Sequence, residues 1–375
     1  MLKRGFMRPL AYYYGIATLT GTVIGAGILG IPFVVAMSGF WTGVLVLVVL
    51  GIVNLFVNLF MGDIVLGSDG RHQLVGHAGR ILGRYGRFWM LLSIVIGCFG
   101  ALVAYTLGVG SSLAEVFGGP VWLWSALFYL VMSYLLAGTV SRLGKSELWM
   151  EFFKLVVFLA VVFFLFSSSQ FNVGNLSGFS WNSLLVPFGV VLFAYMGSPA
   201  IPEVCEQTRV CSHLTRRVIV IGSLIPLIAY VAFAAAVIGV TGPLTTEVAT
   251  IGVARFSGAF VAGLVHALAV LAMASSFLAL GYVLKDTFVK DVGLSSSNAW
   301  FIVVLAPLAL IALGLSSFVR VLDIAGTFSG GIAGVLIVLM RALSVKRRSA
   351  LSIFGYCALI LVFCVGMLYQ ASLLV

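Results

Sequence analysis

Residues 40–61 run through 22 positions without one charged side chain. A stretch of that length crosses the hydrocarbon core of a bilayer as a helix, where no water is available to satisfy open backbone groups. Ten more apolar runs follow the same rule, at 11–37, 88–117, 121–140, 147–166, 183–205, 218–241, 257–284, 298–315, 318–340 and 350–373. The expectation is an all-α multi-pass membrane protein with eleven transmembrane helices. Composition agrees, since 9% of the 375 residues are charged against about 25% in soluble domains. A net charge of +10 in a soluble chain would suggest a nucleic-acid partner. Here the basic residues gather in short loops, which is a signal of orientation. Placing the N-terminus in the cytoplasm puts 18 of the 21 Lys and Arg inside; Arg255 and Arg320 lie outside and Lys154 within a span. The C-terminus then lies outside, and the partner of the surface is the lipid of the cell membrane rather than nucleic acid. Residues 1–10 carry no cleavage site, so no removable signal is expected. Cys98, Cys205, Cys211, Cys357 and Cys364 form no disulfide framework, and neither they nor His72, His77, His213 and His266 have metal spacing.

Two spans are interrupted. The first holds Gly21-Thr22-Val23-Ile24-Gly25-Ala26-Gly27-Ile28-Leu29-Gly30-Ile31-Pro32, with three glycines and a proline in its last eight residues. The sixth holds Phe193-Ala194-Tyr195-Met196-Gly197-Ser198-Pro199-Ala200-Ile201-Pro202-Glu203. Glycine loosens a helix, and proline removes a donor from it. Irregular backbone at membrane depth survives only where protein or a cavity lines it. The polar loop 167–182 separates five spans from the next five, and an odd number per half inverts the halves. The chain therefore divides into a first repeat (1–170), a second (171–341) and an added helix (342–375) within one transporter domain. Paired breaks in two such halves point to a binding site between them.

A broken helix leaves N–H groups free at one half-helix start, which suit a carboxylate, and carbonyls free at the other half-helix end, which suit an ammonium group or a cation. A zwitterionic amino acid offers both charges. Gly25, Ala26 and Gly27 in span 1, with Ala194, Tyr195, Gly197 and Ser198 in span 6, are the candidate substrate-binding residues.

Residues 21–32 resemble the first-helix motif of the amino-acid–polyamine–organocation superfamily, and more narrowly the hydroxy/aromatic amino-acid permeases and the amino acid/auxin permeases. Residues 193–203 are similar to the sixth-helix motif of the latter. Leu271-Ala272-Met273-Ala274-Ser275-Ser276-Phe277-Leu278-Ala279-Leu280, followed by Asp286, resembles the eighth-helix motif of the former, where Thr-Ser is the commoner pair. The resemblance covers the ten-helix core and implies a five-plus-five inverted repeat of the leucine-transporter type, working by alternating access. It implies further roles. Ser275 and Ser276 would hold a sodium ion together with carbonyls near Gly21 and Ile24, and Tyr105 in span 3 would reach the substrate carboxylate.

Lys154 is an ionisable residue inside span 5, a costly placement that points to function. In some proton-coupled permeases of the superfamily a lysine here takes the sodium position. The bland alternative is a side chain reaching back to the interface and paired with Glu151 or Glu147. Glu203, at the start of the second half of span 6, and Arg320 with Asp323, three apart in span 10, are candidate gating residues. These observations favour a secondary active transporter that moves a neutral amino acid with a proton, with sodium as the alternative ion and no cofactor, metal or obligate protein partner. A membrane-embedded enzyme would need clustered acids or a nucleophile–base pair, and the chain has only 11 Asp and Glu. A sensor built on a transporter fold would be expected to need a cytoplasmic domain. The basic loop 62–87 is expected to hold a short interfacial helix.

Overall fold

The computed structural model describes residues 2–68, 73–138, 144–208, 212–345 and 349–374, and for residues 2–10, 144–152 and 212–213 the backbone alone. Every element among the described residues is helical. The first half comprises α1 (Leu2–Val23), α2 (Ile31–Ser38), α3 (Phe40–Leu66), α4 (Leu74–Phe117), α5 (Val121–Leu136) and α6 (Gly144–Phe166). The second comprises α7 (Phe188–Ala194), α8 (Ile201–Gln207), α9 (Ser212–Thr241), α10 (Ala249–Phe256), α11 (Ala259–Thr287), α12 (Ser296–Ala312), α13 (Phe318–Ala325) and α14 (Gly331–Ser344), with α15 (Ala350–Ser372) at the end. Among the described residues seven helical stretches are long and apolar enough to span a bilayer, and the bent pair Ala11–Val23 and Ala26–Ser38 makes an eighth. Val121–Leu136, Phe153–Phe166 and Ser296–Ala312 are shorter apolar helices.

Both expected breaks are present. At the first, Gly25 takes an extended conformation (φ −98°, ψ −157°), a 3-10 turn covers Ala26–Gly30, and the two halves bend by 43°. Pro32 lies in the first turn of α2, where the missing N–H has no intrahelical acceptor to lose. At the second, α7 stops at Ala194, a 3-10 turn covers Ser198–Ala200, and Pro202 opens α8. The two breaks touch: a Cβ on Gly27 would stand 3.0 Å from the Ala194 Cα. Glycine lets the halves meet at that distance.

Helix α4 is the central post, packed against α5, α11, α13 and α14. Small residues make this possible, since lipid supplies no hydrophobic drive between helices and close packing must do the work. A Cβ on Gly97 would stand 2.4 Å from Ser329 Oγ, and one on Gly100 2.3 Å from the Ala325 Cβ. Helix α15 lies on the rim, with Leu351, Phe354 and Leu368 each more than two-thirds exposed. Such apolar exposure suits lipid.

The loop 62–87 holds the expected short helix: α3 continues to Leu66, and the part of α4 that starts at Leu74 is set off from the rest by a bend at Gly83. Gly83 has φ +70°, a left-handed region that only glycine enters freely. A short helix, α10, lies between α9 and α11. Span 10 is divided by a π-helical turn at Gly326–Gly330, a feature often found at functional sites.

Candidate functional site

The two breaks leave carbonyls at the ends of α1 and α7, and one side chain serves both. The Tyr230 hydroxyl of α9 lies 2.5 Å from the Val23 carbonyl oxygen and 2.8 Å from that of Ala194. Tyr230 is wholly buried. Its ring rests on that of Tyr195, with centroids 5.0 Å apart.

A polar line runs from α6 to the first break. Lys154 Nζ donates to Ser275 Oγ at 2.9 Å, and Ser275 donates in turn to the Ala272 carbonyl at 3.1 Å. The next residue, Ser276, is in hydrogen-bonding contact with the hydroxyl of Tyr105. Ser276 Oγ also stands 3.3 Å from where a Cβ on Gly25 would be. Lys154 and Tyr105 are buried, Ser275 and Ser276 half-buried. The structure thus brings Lys154 to Ser275 and Tyr105 to Ser276, and of these four residues it sets Ser276 against the break at Gly25. The side chains of Glu147 and Glu151 lie outside the described residues, as do Cys211, His72 and the side chain of His213. Gly21 sits in the last turn of α1, and the Ile24 N–H closes on the Thr20 carbonyl at 2.7 Å.

Other expected residues face elsewhere. Tyr195 turns its hydroxyl away from the break, donating to the Leu47 carbonyl of α3 at 3.1 Å. A glycine lets the hydroxyl approach α3 this closely, since a Cβ on Gly51 would stand 3.1 Å from it. Ser198 donates to Asn58 Oδ1 at 3.1 Å. Ala26, Ala101, Ala194 and Ala272 are buried and give the region small apolar walls. Glu203 is exposed and accepts from Gln207 Nε2 at 3.1 Å; the same amide reaches Thr18 of α1 at 3.1 Å.

Among the described residues no ion pair joins Arg320 to Asp323. Asp323 instead accepts backbone N–H groups of Gly189 and Val190, in the first turn of α7, and meets the side chain of Gln370 in α15. The start of a helix carries unpaired N–H groups and a positive dipole end, a stronger attraction than an exposed arginine. Arg320 remains exposed. Near it, Glu247 caps the start of α13 through Ser317 Oγ (3.0 Å) and the Val319 N–H (3.3 Å).

Asn58 is the further residue that composition and motif did not single out. Buried in α3, it accepts from Ser198 and donates to Ser223 Oγ of α9 at 3.2 Å. Beside it a cavity of about 30 Å³, lined by Asn54, Ser93, Met196, Ser198 and Ser329 among others, has room for a water but not for an amino acid. Two asparagines four apart in an uncharged span were a legible signal for this face. Tyr230 had none, since nothing in its local sequence marks which carbonyls it meets.

The model of the tryptophan/tyrosine permease family matches residues 11–372. The chain belongs to that family. A curated relative of this permease is glutamine transporter 2 of Aliivibrio fischeri, 21% identical over 342 residues, 88% of each chain. Amino acid transporter AVT1H of Arabidopsis thaliana matches 107 residues at 25% identity, 28% of this chain and 25% of that one. Among solved structures, MhsT in complex with L-phenylalanine superposes with a TM-score of 0.64 at 16% identity, covering 96% of this chain and 97% of the other. Mhp1 in its inward-facing conformation gives 0.62 at 14%, covering 96% and 89%. The permease therefore has the leucine-transporter fold, as the resemblance of its motifs implied, and is a multi-pass amino-acid transporter.

Proposed function

We propose that the protein carries a neutral amino acid across the membrane together with a proton, by alternating access, with Lys154 as the coupling group. The observation that carries this reading is the Lys154 Nζ to Ser275 Oγ bond of 2.9 Å, one residue from the Ser276 that stands against the first break. A lysine at that depth is hard to retain for packing alone. When protonated it excludes sodium from the same serines, because like charges a few ångströms apart in low dielectric repel by several kcal/mol. The substrate is taken to lie between Gly25–Gly27 and Ala194–Ser198, with Tyr105 towards its carboxylate and the buried alanines around its side chain. The basic loops support an orientation with the N-terminus in the cytoplasm.

The test is Lys154→Ala in proteoliposomes. Uptake of labelled amino acid driven by an imposed pH gradient is expected to be lost, while exchange of internal for external amino acid persists. Undiminished proton-driven uptake by the variant would move the coupling site to Ser275 and Ser276 with sodium as the ion.

A further inference from the structure

The carbonyl ends of two helices that stop in mid-membrane are negative dipole ends. Where such ends converge, a cation is the natural occupant, since it can be coordinated by both at once. Here a neutral hydroxyl stands there. The Tyr230 oxygen is 2.5 Å from Val23 O and 2.8 Å from Ala194 O, so the space between the two carbonyls is filled by an atom of the protein.

We propose that the Tyr230 hydroxyl takes the place of a cation at the junction of the broken helices, making the union of α1 and α7 independent of sodium. This deepens the proposed function by giving a second, separate reason for sodium independence. Three features of the geometry support it. The ring is wholly buried and packed on Tyr195, which is itself anchored to α3, so the hydroxyl is held in place. The phenol has one proton and donates to one carbonyl at a time. Val23 O has a second donor in the Gly25 N–H at 2.8 Å, which lets the phenol proton serve Ala194 O without leaving Val23 O unpaired. The hydroxyl and the glycine N–H together supply two donors where a metal ion would supply one charge. Tyr230 is thus a positioning residue, acting on the substrate through the two breaks.

The experiment measures amino-acid binding to purified Tyr230→Phe at one pH with no ion gradient, in sodium and in N-methylglucamine of equal ionic strength. Phenylalanine keeps the ring and removes the oxygen. Without sodium, affinity is expected to fall about tenfold or more, since the buried Ala194 carbonyl loses its donor. Sodium is expected to restore it saturably, while the parent responds to neither salt. A merely structural tyrosine predicts no such sodium response. Parent-like affinity of Tyr230→Phe in sodium-free buffer, or a loss that sodium does not reverse in a protein still folded by circular dichroism, would overturn the proposal. If Tyr230→Phe does not fold, the parent and Ser275→Ala decide. A parent that needs sodium, and needs it at the same concentration after Ser275→Ala, binds it at the junction, and the proposal falls. A parent that binds amino acid equally with and without sodium supports the proposal, and one whose sodium requirement shifts to higher concentration in Ser275→Ala holds the ion at the serines, which sinks the proton reading and supports a junction that needs no ion.

Discussion

Asn58→Ala tests whether the second break is held in place by a side chain of α3. Both ends of the Asn58 amide are used, towards Ser198 at 3.1 Å and Ser223 at 3.2 Å, and the residue is 1% exposed. Hydrogen bonds between membrane helices average about 0.6 kcal/mol, and leaving a buried hydroxyl unpaired costs about 1–3 kcal/mol. The penalty for the stranded hydroxyl already contains the lost bonds, so the loss is taken as roughly 1–3 kcal/mol. Because Ser198 opens the turn that leads into α8, most of that loss is expected to fall on the bound state, weakening amino-acid binding about five- to 100-fold. Equilibrium binding on purified protein measures it. Asn54→Ala is the control, since Asn54 donates only to Leu50 of its own helix at 3.0 Å, and binding should change less than threefold. Equal losses from the two variants, or parent-like binding by Asn58→Ala, would refute the assignment.

Gly25→Ala separates site from fold: its Cβ would meet Ser276 Oγ at 3.3 Å, a contact the serine can yield to, so the protein should fold normally yet bind amino acid at least tenfold more weakly in the same assay. Gly197→Leu is expected to lose binding and also stability, shown as a lower thermal midpoint, because even a Cβ there would come within 2.7 Å of Val23 Cγ2. Cysteines placed at Ser168 and Arg255 in a cysteine-free background should label from outside intact cells, and one at Arg217 should not.

Much of this fold was legible because lipid forces local rules. An apolar run of span length must be a helix, and clustered Gly and Pro must break it, so α1–α2 and α7–α8 could be placed from residues 21–32 and 193–203. The meeting of Lys154 with Ser275, 121 positions apart in sequence, was anticipated from the resemblance of the eighth-helix motif rather than from spacing. Elements whose cause is tertiary were not legible. The π-turn at Gly326–Gly330 depends on fitting against α7, where Gly326 comes within 2.0 Å (as a Cβ) of the Gly189 carbonyl. The direction of Asp323 followed the same logic. Its neighbour Arg320 is obvious in sequence, but the start of α7 is adjacent only in space.

Amino-acid transport by this permease is proposed to be coupled to protons. Its most direct test is the unmodified protein in liposomes, offered labelled neutral amino acids under an inward proton gradient, an inward sodium gradient, or neither. Accumulation above equilibrium is expected with the proton gradient alone, abolished by a protonophore and unchanged when sodium is replaced by N-methylglucamine. Accumulation that follows the sodium gradient and ignores the protonophore would contradict it.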